Sequence, residues 1–155
     1  GVDDLAARLK PFFGKSGIAA DDATLRRIVP IIQKRIVTLD DAVEMAGFFF
    51  RPHVQPKPEE LAAKGLTPVQ SLSALARARQ VLEGLPEFTH AAMEPPVRAL
   101  AEELGVKAGQ LFGILRAAVT GQTVSPPLFE CLEIVGRETV LARLKQAEEI
   151  LKALA

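Results

Sequence analysis

The chain lacks tryptophan and tyrosine, has one cysteine and two histidines among its 155 residues, and contains no long apolar run. A single cysteine cannot form an intramolecular disulfide, and Cys131 lies among apolar residues, so we expect a buried free thiol in a reducing cytoplasm. No segment approaches the roughly 20 apolar residues that a membrane span needs, and the first residues show no secretion signal. These absences favour a soluble, cytoplasmic protein with no membrane partner.

The residues that most catalytic and metal sites require are also scarce. His53 and His90 are far apart and have no cysteine or paired carboxylate at ligand spacing, so we expect no metal site. There is no glycine-rich loop after a strand and no G-x-x-x-x-G-K run, so an ATP site is not expected in these residues. Glu102–Glu103 and Glu148–Glu149 are adjacent pairs, which point about 100° apart on a helix and are expected to be solvated surface.

Charge and aromatic content give no general indication of nucleic-acid binding. The chain has 19 lysines and arginines against 19 aspartates and glutamates, so its formal net charge is zero. Proteins that bind single strands usually offer aromatic side chains for bases to stack on, and these are few here. Both observations favour a helical protein-interaction module. The most basic stretch, residues 26–57, contains Arg26, Arg27, Lys34, Arg35, Arg51 and Lys57 against Asp40, Asp41 and Glu44.

Apolar residues recur at helical spacing along the chain, and no sustained period-two alternation occurs, which predicts an all-α fold. The length allows one domain or two small helical subdomains that pack together. The shift in composition near Val54–Leu66 is the one linker-like segment. We therefore predict an N-terminal helical subdomain over 1–53, a connector over 54–66 and a C-terminal helical subdomain over 67–155.

Helix boundaries in the first third follow from capping and proline signals. Asp22 is the predicted cap of a helix that reaches Arg35, with Pro30 as a kink. Thr38 and Asp41 form a capping-box pattern, with aspartate in place of the usual glutamate, ahead of a helix over 42–49. The stretch 52–58 is proline-rich and is expected to be irregular.

The later helices carry similar signals. Thr67, followed by proline and by glutamine three residues on, predicts a helix that begins at Pro68 and ends near Gly84. A helix over Glu94–Leu104 is expected to stop at Gly105. Apolar residues at helical spacing predict a last helix from residue 137 or 138 to Leu154, with charge on its opposite side.

The most distinctive run is KAGQLFGILRAAVTGQTVSPPLFE, in the last third of the chain. Gln110–Thr120 has helical periodicity, with Arg116 among small residues, and Gly121 supplies a C-terminal stop. Ser125 precedes two prolines, which suit a first helical turn, so it is the predicted N-cap of a helix over Leu128–Val135. Short polar turns of this kind beside an arginine suit the recognition of unpaired bases.

This run, Lys107–Glu130, together with 134–138 and Arg143-Leu144, closely resembles the C-terminal anticodon-binding region of bacterial glutamyl-tRNA synthetases. Weaker matches extend the resemblance over residues 22–155, whereas residues 1–20 have no distinctive match. The resemblance implies an anticodon-binding α-helical cage whose partners are the anticodon loop of the glutamate tRNA and a catalytic domain of the same polypeptide. That domain would join glutamate to the tRNA with ATP, and no cofactor is expected in this fragment. The absence of an initial methionine fits a piece excised from a longer chain.

The resemblance also assigns roles to single residues. Arg116 aligns with the motif arginine that contacts the second and third anticodon bases, and Ser125, Pro126 and Leu128 align with the turn that holds them. Arginine and backbone amides can read base edges, while proline and leucine offer apolar surface. Taken without the resemblance, Arg116 is a helix-end cation near the helix dipole and Ser125 is an N-cap.

In this family an arginine of the N-terminal helical subdomain reads the first anticodon base in enzymes that accept only the glutamate tRNA. Arg35 is our candidate, with Arg26, Arg27 and Arg51 behind it. The alternative for all four is a solvated or salt-bridged helix face. Whether the glutamine tRNA is also accepted is left open.

Overall fold

The computed structural model describes all 155 residues as nine α-helices and a short 3₁₀ turn without a strand, which confirms the all-α prediction. None of the helices combines the length and apolar character that a membrane crossing requires. The helices are α1 Val2–Lys15, α2 Asp22–Ile32, α3 Leu39–Ala46, α4 Pro58–Leu61, α5 Pro68–Glu83, α6 His90–Leu104, α7 Ala108–Thr120, α8 Leu128–Val135 and α9 Arg137–Leu154, and the 3₁₀ turn is Gly47–Phe49.

The two predicted capping boxes, at Thr38 and Thr67, both form, although α3 begins and ends three residues before its predicted bounds of 42 and 49. At α3, Thr38 N–H donates to Asp41 Oδ2 at 2.9 Å and Asp41 N–H donates to Thr38 Oγ1 at 3.3 Å. At α5, Thr67 and Gln70 make the same reciprocal pair. Each box satisfies two N–H groups that a helix start would otherwise leave unpaired, which explains why both boxes were predictable.

The predicted bounds of α2 are wrong at both ends. Its cap is Asp21, whose Oδ2 accepts from Thr24 N–H at 2.9 Å, and Asp22 is the first helical residue. The helix ends at Ile32 and does not reach Arg35. There the chain tightens into a turn in which Arg35 N–H bonds to the Ile32 carbonyl at 2.8 Å.

Helix α6 begins one turn earlier than predicted, at His90 instead of Glu94. Thr89 caps it by accepting from Ala92 N–H at 3.2 Å. Pro95 and its neighbour lie inside the helix and do not mark its start. Its end at Gly105, which is left-handed with φ 71°, is as predicted.

Helix α1 was not predicted. Its residues Ala6, Leu9 and Phe13 are buried at three- and four-residue spacing against α2 and α3. Phe13 also packs edge to face on Phe50, with ring centroids 5.1 Å apart. This helix closes the first core.

Buried apolar residues form two main groups, one among α1–α3 and a larger one among α4–α9. Ile134 of α8 packs on the first group and Leu128 belongs to the second, so α8 contacts both. Leu61 of α4, inside the predicted connector 54–66, is buried in the second group. A small third group joins them, made of Phe48, Val54 and Cys131. The division of the chain at 54–66 stays a prediction.

Helix α9 has the bounds predicted for it, but its polar side is not all solvated. Arg143 and Glu148 are buried. Glu148 pairs with Arg79 of α5, so the prediction of a solvated pair at Glu148–Glu149 is wrong for Glu148. Its partner lies 69 residues away, which is why local pattern gave no sign of it.

Candidate functional site

The turn between α7 and α8 is fixed by backbone geometry and by one threonine. Gly121 ends α7 in the left-handed region, with φ 71° and ψ 14°, as its stop signal predicts. Thr120 Oγ1 donates to the Arg116 carbonyl at 2.6 Å and accepts from Gln122 N–H at 3.1 Å. The chain therefore leaves α7 in a defined direction.

Arg116 and Ser125 meet across this turn. Arg116 Nε donates to Ser125 Oγ at 3.0 Å, and Ser125 Oγ donates to the Pro126 carbonyl at 2.7 Å. The predicted N-cap role of Ser125 is wrong, because Pro127 occupies the N-cap position of α8 without a side-chain cap. The serine hydroxyl is two residues too early for that role and is occupied by the arginine and the proline carbonyl.

Arg116 retains donors for an outside group. Its side chain is half-buried and pairs with no carboxylate, and only Nε bonds to the protein. A guanidinium carries five N–H groups in a fixed fork, so the four on Nη1 and Nη2 stay free. Arg116 is therefore a cation that is oriented through Nε and whose Nη1 and Nη2 groups have no partner in the protein.

Pro126 and Leu128 expose little side chain. Leu128 is 4% exposed within the larger core, and Pro126 is buried. The exposed apolar side chain of this turn is instead Val124, at 72%. Sequence reasoning missed Val124, since a lone valine between polar residues carries no signal of exposure.

Cys131 is a buried free thiol, as predicted. Burial raises its pKa to about 12, against the smaller lowering effects of the Ser125 hydroxyl and of the Arg116 and Arg35 charges. A thiol with this pKa is protonated at neutral pH and is a poor nucleophile.

Arg35 faces the turn from the first group of helices. It is exposed and its Nη1 donates to the Ile31 carbonyl at 2.9 Å. It lines an open groove of about 490 Å³ that residues 121–124 of the turn also line. The structure therefore brings Arg35 and the α7–α8 turn together. This Arg35 groove is lined by Arg35, Asp41, Glu44, Met45, Lys57, Glu60 and Gly121–Val124.

The three other candidate arginines are placed differently. Arg51 lines a second groove, of about 390 Å³, which Gly121 and Gln122 also line. Arg27 lies beside His90 and α8, and Arg26 lines neither groove at the turn. The second groove, called here the Arg51 groove, is lined by Arg51, His53, Val54, Gln55 and Thr120–Gln122.

Gln122 ties the turn to α3. Its Nε2 donates to the Val124 carbonyl at 2.9 Å and reaches the Met45 carbonyl at 3.5 Å. A Cβ at Gly121 would lie 3.4 Å from Val54 Cβ, so the connector runs close to the turn on the other side. Sequence reasoning missed Gln122, because its second contact joins residues 77 positions apart.

No three histidine, cysteine, aspartate or glutamate side chains lie together as metal ligands. His90 instead pairs with Glu133, and its Nδ1 lies 2.8 Å from Glu133 Oε1. The same carboxylate accepts from His90 N–H at 2.7 Å, and these bonds lower the pKa of Glu133. This pair links α6 to α8.

A model of the family described as an anticodon binding domain matches residues 4–148. Curated relatives include a glutamate–tRNA ligase of Dehalococcoides mccartyi, 42% identical over 151 residues that cover 94% of this chain and 31% of that protein. Another, from a Roseiflexus species, is 40% identical over 97% of this chain and 31% of its own length. The chain thus spans about 31% of the curated relatives it matches.

Solved structures share the fold. A glutamate tRNA ligase from Elizabethkingia meningosepticum superposes with a TM-score of 0.81 at 18% identity, covering 99% of this chain and 30% of that one. The glutamate-tRNA synthetase of Elizabethkingia anophelis gives a TM-score of 0.74 at 20% identity, covering 96% of this chain and 28% of that one. At these identities the likeness concerns the arrangement of the helices.

Proposed function

The chain belongs to the anticodon binding domain family, and on this premise we propose that it reads the anticodon of a glutamate tRNA on behalf of a glutamate–tRNA ligase. A catalytic domain of the same polypeptide would then join glutamate to the 3′ end of the tRNA with ATP. The observation that carries the proposal is the Arg116–Ser125 hydrogen bond, which orients an otherwise unsatisfied guanidinium at the α7–α8 turn.

Unpaired bases expose carbonyl and ring-nitrogen acceptors on the edges that pair in a duplex. The Nη groups of Arg116 can donate to two such acceptors at once, as a guanidinium fork does. Because Ser125 already holds Nε, fewer rotamers of the arginine are lost when a base binds. A bound base that lacks the matching acceptors would leave the arginine donors unpaired, which gives discrimination.

Arg35 would read a base from the opposite side of its groove. The groove also contains Asp41, Glu44 and Glu60, whose charges disfavour a phosphate there. Carboxylates accept from base amino groups, and arginine donates to base carbonyls, so the lining suits a base edge. This supports Arg35 as the reader of the first anticodon base, with Arg116, oriented by Ser125, at the second and third.

The leucine and proline of the turn contribute differently from what the resemblance implies. Since the side chains of Pro126 and Leu128 are largely buried, we assign them the support of the turn and assign apolar contact with a base to Val124. The cost of exposing the Leu128 side chain to a base would be a loss of core packing.

The test is a titration of the chain with a labelled anticodon stem-loop of the glutamate tRNA, beside loops changed at the first base or at the second and third. Arg116→Ala should reduce about tenfold the preference for the native loop over the loop changed at the second and third bases. Arg35→Ala should reduce the preference for the native loop over the loop changed at the first base. Arg77→Ala is the control, since Arg77 is exposed on α5 and pairs with Glu103. Equal binding of native and changed loops, or binding of none, would contradict the proposal and favour a protein-interaction module.

A further inference from the structure

The Arg51 groove differs from the Arg35 groove in charge. Arg51 and His53 line it, and no aspartate or glutamate does, whereas three carboxylates line the Arg35 groove. The two grooves share Gly121 and Gln122 as a common wall. These turn residues therefore border both a groove of mixed charge and one without negative side chains.

The backbone of Arg51 is held by a hydrogen bond, and its side chain lies against Gly47. Its carbonyl accepts from Nη2 of the buried Arg143 at 2.9 Å. Its guanidinium lies against Gly47, where an added Cβ would be 3.0 Å from Nη1 and 3.2 Å from Cζ and Nη2. A larger residue at position 47 would displace the Arg51 guanidinium, so this guanidinium occupies space that only a glycine leaves open.

The guanidinium of Arg51 has no partner within the protein. Arg51 is exposed and forms none of the ion pairs of the chain, and its side chain makes no hydrogen bond. The side-chain amide of Gln55 also lines this groove, whereas that of Gln122 already donates to the Val124 and Met45 carbonyls. An unpaired cation beside a neutral amide donor, in a groove without a negative side chain, matches what a phosphate needs.

We propose that the Arg51 groove binds phosphates of the RNA strand whose bases enter the Arg35 groove. The inference rests on the proposed function, because it takes the anticodon strand as the ligand. A strand that crosses the wall at Gly121 and Gln122 presents bases on one side and its sugar–phosphate backbone on the other. Phosphate contacts fix the register of the strand and carry no sequence information.

The experiment compares Arg51→Gln with Arg26→Gln, which removes the same charge from an exposed, unpaired arginine that lines neither groove. Affinities of the chain for the native and the base-changed stem-loops are measured over a range of salt concentrations. Arg51→Gln should weaken all loops by the same factor, about threefold to tenfold, and lower the slope of log affinity against log salt by about 0.7, the value for one single-strand phosphate. Arg51→Lys, which keeps the charge, should keep the slope.

Two outcomes would overturn the inference. If Arg26→Gln lowers the slope as much as Arg51→Gln, the effect is one of net charge and the groove has no special role. If Arg51→Gln changes the preference among loops, Arg51 reads a base. Failure of the proposed function looks different, because the wild-type chain itself would then bind native and changed loops equally. Circular dichroism of each variant checks that the fold is kept.

Discussion

Arg116 and Ser125 are joined by a hydrogen bond of 3.0 Å from Nε to Oγ, across the turn between α7 and α8. The serine in turn donates to the Pro126 carbonyl at 2.7 Å, so its hydroxyl is fixed by the turn that it helps to shape. The helix supplies the cation and the turn sets its direction. Residues that act in this way as a unit should show strongly non-additive effects on binding.

We therefore expect Ser125→Ala to weaken binding of the native anticodon stem-loop about fivefold to tenfold, because the lost hydrogen bond frees the Arg116 side chain. In the Arg116→Ala background the same change should have almost no further effect. The measurement is a double-mutant cycle from four titrations, with Ser125→Thr as the control that keeps the hydroxyl. Additive losses would show that Ser125 contacts the RNA independently of Arg116.

Local signals predicted what lies within one helical turn. The capping boxes at Thr38 and Thr67, the stop at Gly121 and the bounds of α9 all depend on residues up to four positions apart. The same reasoning failed where two local options competed. Thr89, and not the proline pair at 95, begins α6, and Asp21 is preferred over Asp22 as the cap of α2 because its carboxylate reaches Thr24 N–H.

Contacts between distant residues left no trace in the pattern. Arg143 reads as one of the charges on the polar side of α9, yet it is buried against carbonyls that lie 24, 92 and 95 residues away. In the site, too, local pattern predicted single residues and did not predict the contacts between distant ones. Helix periodicity located Arg116, but its link to Ser125 and the position of Arg35 opposite the turn depend on how α7, α8 and α2 pack.

Arg143→Met is expected to lower the free energy of unfolding by about 2 kcal/mol. Arg143 donates to the carbonyls of Val119, Phe48 and Arg51 at 2.8–3.2 Å, and methionine would leave them unpaired. Burial of the charge is itself unfavourable, and it lowers the pKa of the Arg143 guanidinium. Removing the charge therefore offsets part of the loss. Urea unfolding measures the difference, with Lys145→Met as an exposed control on the same helix. A change within about 0.5 kcal/mol would mean that the three contacts contribute nothing net.

Stability should depend on pH through Asp41. The N–H groups of Thr38 and Val37 donate to its carboxylate and lower its pKa below 3.8. A lowered pKa in the folded state contributes stability that is complete above the unfolded value and disappears as the pH falls through the folded one. The difference in melting temperature between wild type and Asp41→Ala should therefore close between about pH 5 and pH 2. Asp40→Ala is the control, because Asp40 accepts no hydrogen bond from a backbone N–H. If the difference in melting temperature between wild type and Asp41→Ala does not change with pH, the lowered pKa of Asp41 is not its cause.

Gly121 and Gly105 form a matched pair that separates stability from binding. Both end a helix in the left-handed region with φ 71°, so alanine at either position should cost about 1 kcal/mol of folding free energy. Nothing lies within 4 Å of a Cβ at Gly105, whereas a Cβ at Gly121 would be 3.4 Å from Val54 Cβ and 3.8 Å from Gln55 N, beside the Arg51 groove. Gly121→Ala should weaken binding of the anticodon stem-loop severalfold, and Gly105→Ala should not. The two variants should nevertheless have similar free energies of unfolding. If both variants bind like the wild type, the strand does not cross the wall at Gly121, and if both bind more weakly, the loss follows stability and not the site.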